Sequence, residues 1–168
     1  MPFAVELDNV TQLIGAGDDS IVSALKPQFN HRFDTLDWDD EAELTSEQAL
    51  RDLLVGNELN PNYGHLYAYG FEMLCGIFGE HLPNRHWSAM KAAWIETVND
   101  ALRANGAKTD LIGIIFRGAP ITIPDTLAGL NDLSLTFLES EAGESVSELR
   151  EWLESCLRKK CDLVSFYY

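Results

Sequence analysis

Leu163-Val164-Ser165-Phe166-Tyr167-Tyr168 is the stretch that decides the fold class. Five of its six residues are apolar, and the β-branched and aromatic bias is that of a strand rather than of a solvated tail. A strand needs a partner, and the other end of the chain offers one. Phe3, Val5 and Leu7 alternate with Ala4 and Glu6, the period-2 pattern of a half-buried strand. Leu111 to Phe116, a short run rich in isoleucine, predicts an interior strand. Leu133, Leu135 and Phe137 alternate as an edge strand would, with a short helix as the alternative. The expected fold class is α+β, a small mixed β-sheet covered by five or six helices, in one globular domain over residues 1–168.

Between the strands the periodicity is helical. Asp8 stands where an N-cap belongs, before a short helix to Ile14. Gly15-Ala16-Gly17 breaks that helix, and Asp18 caps the next, which carries Ile21, Val22 and Leu25 and is expected to be limited by Pro27. Thr45 and Gln48 form a capping box ahead of Leu50, Leu53 and Leu54, and Gly56 is placed to stop that helix. Asn57 to Asn62 reads as a turn. A central helix is expected from Tyr63 to Phe78, with one stripe of Leu66, Tyr69, Gly70, Met73, Leu74 and Ile77 and a second apolar face of Tyr67, Phe71 and Cys75. A further helix is expected from Ser88 to Ala104, and Pro120 and Pro124 mark irregular chain. Ser145 and Glu148 form a second capping box, before an amphipathic helix bearing Val146, Leu149, Trp152, Leu153, Cys156 and Leu157. Arg158, Lys159 and Lys160 follow at its dipole-matched end. Phe71, Met73 or Leu74, with Trp94 and Trp152, are the expected core.

Charge narrows the function classes. The 168 residues carry 27 acidic and 12 basic side chains, a net charge of -15. Nucleic acid is a polyanion held mainly by Lys and Arg, so this chain lacks the electrostatic footprint of a nucleic-acid binder. No apolar run approaches the about 20 residues that span a bilayer, so no membrane helix is expected. Met1 to Asp8 lack a basic segment followed by an apolar core, which makes the cytoplasm the expected compartment. Cys75, Cys156 and Cys161 are an odd number without paired-ligand spacing, and reduced thiols are expected.

Several motif-like fragments dissolve on inspection. Gly15-Ala16-Gly17-Asp18-Asp19-Ser20 follows a helix rather than a strand and puts two carboxylates where pyrophosphate would sit. The alternating acids from Asp37 to Glu41 resemble a calcium loop, but Ala42 replaces the needed glycine and Gln48 the bidentate glutamate. Glu80, His81 and His86 lack zinc-ligand spacing, and Pro83 interrupts them. His65 and Cys75 on one helix would be about 15 Å apart, too far for a dyad. No catalytic residue, metal site or cofactor is expected.

Two clusters remain as candidates. The first is the acidic segment around Asp34, Asp37, Trp38, Asp39, Asp40 and Glu41, expected as a solvated surface for a partner. The second centres on Glu72, a carboxylate between Phe71 and Met73 on a helix with two apolar faces. Such a group needs a cation or several donors. Arg117, Arg85 or Lys91 would serve as a structural partner; alternatively Glu72 lines a pocket with Tyr67, Tyr69 and Arg117.

The strand ending Glu6-Leu7-Asp8, the Gly15-Ala16-Gly17-Asp18-Asp19 turn, the helix Tyr67-Ala68-Tyr69-Gly70-Phe71-Glu72-Met73-Leu74-Cys75 and the closing Asp162 to Tyr168 together resemble a family of small bacterial proteins defined by a domain of unknown function. The resemblance implies a bacterial single-domain protein and carries no catalytic residue to transfer. The expected role is therefore an acidic protein-binding module, of the type of an immunity protein that inhibits a basic toxin, since dense negative charge steers cationic partners. The alternative is a small-molecule enzyme or sensor built on the Glu72 pocket.

Overall fold

The two stretches predicted as strands at opposite ends of the chain pair with each other. In the computed structural model, which describes residues 1–36, 44–87, 93–105, 117–118, 122–139 and 141–166, β1 (Pro2–Val5) runs antiparallel to β4 (Asp162–Ser165), with Phe3 opposite Val164 and Ala4 opposite Leu163. The ladder continues past the strand ends, where Phe166 N–H donates to the Met1 carbonyl at 3.0 Å. On the far side of β1 lies β2 (Gly79–His81), with Phe3 opposite His81, and β3 (Arg117–Gly118) pairs with β4. The order is β2-β1-β4-β3, and every described pairing is antiparallel. The architecture is α+β.

By its contacts the chain divides into two compact units, Met1–Glu6 with Gly79–Tyr168, and Leu7–Phe78. The sheet belongs to the first. Its central helix is α8 (Glu141–Lys159), which contacts β1, β4, α5 (Ala93–Ala104), α6 (Ile123–Asn131) and the short α7 (Leu135–Leu138). Val146, Leu149, Trp152, Leu153 and Cys156 make one fully buried face of α8, in a cluster with Leu102, Ile123, Leu130 and Leu163. That stripe has the helical spacing of an amphipathic core helix. β1 is buried at all four positions rather than at alternate ones.

The second unit is helical: α1 (Leu7–Thr11), α2 (Asp19–Leu36), α3 (Ser46–Val55) and α4 (Gly64–Phe78), with a 3₁₀ turn at Pro61–Tyr63. α3 packs on both α2 and α4. Caps set its limits. Asp18 Oδ1 accepts the Ser20 N–H at 2.8 Å at the start of α2, and the Ser20 side chain, together with that N–H, holds the Asp18 carboxyl below its ordinary pKa. Thr45 Oγ1 accepts the Gln48 N–H at 3.2 Å, while Gly56 closes α3 in the left-handed conformation at φ 86°. The Gln48 amide does not complete a capping box. It turns forward instead, and its Nε2 donates to Asp52 Oδ1 at 2.8 Å.

Several expectations are corrected. Leu7 opens α1 rather than closing β1, which leaves Asp8 inside the first turn. α2 continues through Pro27, whose ring nitrogen leaves the Ser23 carbonyl without its intrahelical donor. Pro124 is not in irregular chain but near the N-terminus of α6, where a missing N–H costs nothing. Leu135 to Leu138 is the helical alternative, not an edge strand. Ser145 and Glu148 do not cap α8, which begins at Glu141. Phe71 is half-buried, whereas Met73, Leu74 and Trp152 are buried. The strand expected at Leu111 to Phe116 and the side chain of Trp94 lie outside the described residues.

Candidate functional site

The acidic segment is only partly described. Asp34 lies on α2, with its side chain outside the described residues, as are Asp37, Trp38, Asp39, Asp40 and Glu41 altogether. The Glu72 cluster is better defined. Glu72 is 3% exposed on α4, and its Oε1 has no hydrogen-bond partner. Tyr67 is five residues earlier, about 140° around the helix, and its hydroxyl accepts the Asn60 N–H at 3.0 Å. Both Tyr67 and Tyr69 pack with Ala49 and Leu66. Arg117 belongs to β3 in the other compact unit, with its side chain outside the described residues. One turn beyond Glu72, burial and then the Glu72 charge push the Cys75 thiol up to about 12, so it remains protonated at neutral pH.

Around α8 the polar geometry is denser. The segment from Pro83 to Trp87 is fastened to this helix by six side chains. Glu148 accepts the N–H groups of Arg85 and His86, at 2.7 and 2.8 Å. Ser145 Oγ donates to the His86 carbonyl at 3.1 Å, and His86 Nδ1 lies 3.1 Å from Glu144 Oε2. Trp87 Nε1 donates to the Ser145 carbonyl, and Trp152 Nε1 to the Pro83 carbonyl, both at 2.6 Å. Ser145, His86 and Glu144 are residue types of a hydrolytic triad, but the serine bonds to the histidine's peptide oxygen rather than its ring and is fully buried. A nucleophile must meet both base and substrate. This arrangement holds a loop in place.

The histidines and acid weighed as zinc ligands go separate ways. Glu80 engages Lys159, His81 stands edge-on to Phe3 with ring centroids 5.4 Å apart, and His86 faces Glu144.

A groove opens between α8 and the chain from Glu80 to Pro83, with a cavity volume of about 310 Å³. Leu82, Pro83 and Trp152 form its apolar side. Glu80, Glu151, Glu154, Ser155 and Arg158 form its polar side. Four of these come from one helix because positions 151, 154, 155 and 158 recur at 3, 4 and 7 residue intervals, which places them on one face. None was a candidate from sequence. Glu151, Glu154 and Arg158 read there as the solvated side of an amphipathic helix, and the signal that marks them is their junction with Trp152 on the border of the core stripe. Their pairing with Leu82 and Pro83, about 70 residues away, has no local signature.

Cys156 and Cys161 meet at the end of α8. Lys160 adopts a left-handed φ of 56°, Cys161 N–H donates to the Cys156 carbonyl at 3.1 Å and Lys160 N–H to that of Leu157 at 3.3 Å, the paired bonds of a Schellman cap. Both thiols are buried and free, and burial raises both above the ordinary thiol range.

Comparison with protein families gives one match: a domain of unknown function, DUF7691, whose family model covers residues 1–133. No curated protein and no solved structure matches. The matched region contains β1, β2, β3 and the helices from α1 to α6, and ends before α7.

Proposed function

The chain belongs to the DUF7691 family, and from that premise we propose that it is an acidic protein-binding module whose partner is a basic protein. The observation that carries this reading is the excess of 27 acidic over 12 basic side chains. Such an excess sets up a negative field that draws in cations and repels other acidic surfaces. The described ion pairs consume few of these acids: Asp19, Glu47, Glu80, Asp100 and, through a histidine, Glu144. In its narrower form the proposal makes the protein an immunity-type inhibitor of a basic toxin. A cytoplasmic setting belongs to the same reading, supported by three buried cysteines held as thiols.

Capture of partners from the native cell, followed by binding kinetics over a salt series, tests the proposal. The expected partner is basic, and its on-rate falls as the Debye length shrinks below about 10 Å. Neutralising Asp37, Asp39 and Asp40 together is expected to slow association without altering the thermal midpoint. A partner that associates equally fast at every salt concentration, or retention of a small molecule alone, overturns the reading. A toxin gene beside this one supports the narrower form.

A further inference from the structure

We propose that the groove between α8 and the Glu80 to Pro83 segment seats a lysine or arginine side chain of the partner, a site that rests on the acidic-module reading above and gives it a location. The lining matches the two parts of such a side chain. Leu82, Pro83 and Trp152 offer an apolar wall for the aliphatic stem, and Glu151 and Glu154 offer carboxylates for the charged head. Glu80 is already engaged by Lys159, whereas Glu151 and Glu154 form no ion pair among the described residues.

A second observation is independent of the acids. Ser155 is only 8% exposed and lines the groove. Its hydroxyl oxygen gives an entering N–H donor a neutral acceptor beside the carboxylates. The volume of about 310 Å³ lies at the lower end of ligand pockets, which suits one side chain rather than a larger cofactor. Among the described residues no three histidine, cysteine or carboxylate groups converge to hold a metal ion. An amphipathic cation therefore fits better than a bare one. Arg158, one turn beyond Glu154, repels that cation and weakens the site, which supplies a test of sign.

The experiment titrates the full-length protein with a tetra-arginine peptide, following backbone amides by NMR at low salt. Shifts are expected at residues 151–158, and E151Q combined with E154Q is expected to weaken binding by about ten-fold or more, the scale of losing two charge-assisted contacts. R158Q is expected to tighten it. Because all three side chains are exposed, an unchanged thermal midpoint verifies that each variant folds. Tighter binding lost on R158Q instead would assign the groove to an anionic or zwitterionic occupant and overturn the proposal. If the peptide binds with salt sensitivity but shifts other residues and ignores the double variant, the groove is wrong and the acidic-module reading stands. Failure of the wild-type protein to bind the peptide at low salt rejects both.

Discussion

Glu148 and His86 are joined through the backbone rather than through the imidazole: the glutamate's Oε2 accepts the His86 N–H at 2.8 Å while its Oε1 takes the neighbouring Arg85 N–H at 2.7 Å. One carboxylate therefore satisfies two consecutive peptide groups of a segment that has no helix or strand of its own. Glu148 is 5% exposed, so water is a poor substitute. Replacement by alanine is expected to destabilise the protein by about 3 kcal/mol, because two donors lose a charged acceptor. Glu148→Gln retains one acceptor and is expected to cost less. Urea denaturation of both variants checks the order; a Glu148→Gln variant as stable as wild type would show that the carboxylate's bidentate grip is not what matters.

Gly56 and Gly15 approach each other closely. A Cβ at residue 56 would lie 2.9 Å from the Gly15 Cα, and φ at Gly56 is 86°. Gly56→Ala therefore meets both left-handed backbone strain of about 1–2 kcal/mol and a backbone clash. Gly17 shares the positive φ, at 74°, but a Cβ there meets nothing within 4 Å. Gly17→Ala is expected to cost only the strain. A Gly56→Ala midpoint no lower than that of Gly17→Ala would contradict the close approach.

Removal of the chain after Cys161 is expected to unfold the sheet-bearing unit. β4 is interior, between β1 and β3, so its loss strips ladder partners from both and takes Leu163 and Val164, only 0% and 5% accessible, out of the core. Circular dichroism and thermal melting of the truncated chain are the measurement. A retained melting transition of unchanged midpoint would refute the sheet as described.

Stability is expected to fall at alkaline pH in a way that depends on Cys75. Burial, then the Glu72 charge, raises its thiol from 9.0 to about 12 in the folded state. The unfolded chain releases this proton first, so the contribution is complete below pH about 9 and is lost progressively as pH climbs toward the folded value. Wild type is expected to lose more stability between pH about 8 and about 11 than Cys75→Ala does, when each is compared with itself. Parallel slopes for the two proteins would remove Cys75 from the account.

The strands at the two ends were legible because each is a local pattern. Alternation in Phe3 to Leu7 and the apolar, β-branched and aromatic content of Leu163 to Tyr168 need no knowledge of the rest of the chain. β2 was not legible: Gly79-Glu80-His81 has no strand composition, and it is a strand because β1 presents an open ladder edge beside it. The same contrast separates the caps. Thr45 and Gly56 act on their own helix, as their residue types predict. Ser145 and Glu148 have the spacing of a capping box, yet their partners are 58 to 63 residues away in sequence. A polar pair at that spacing serves the nearest unsatisfied peptide groups, and α8 already extends one turn before them.

Composition and local periodicity thus settled the α+β class, the acidic character and the buried stripe on α8, since these are sums over residues or repeats within a few turns. Which carboxylates stand together was a different matter. Glu80, Glu151 and Glu154 share a groove, and Glu148 clamps the loop after Pro83, only because strand pairing between β1, β2 and β4 returns residues 79–87 to the flank of α8. Contacts between residues about 70 positions apart depend on chain closure and packing, for which no single segment carries the signal.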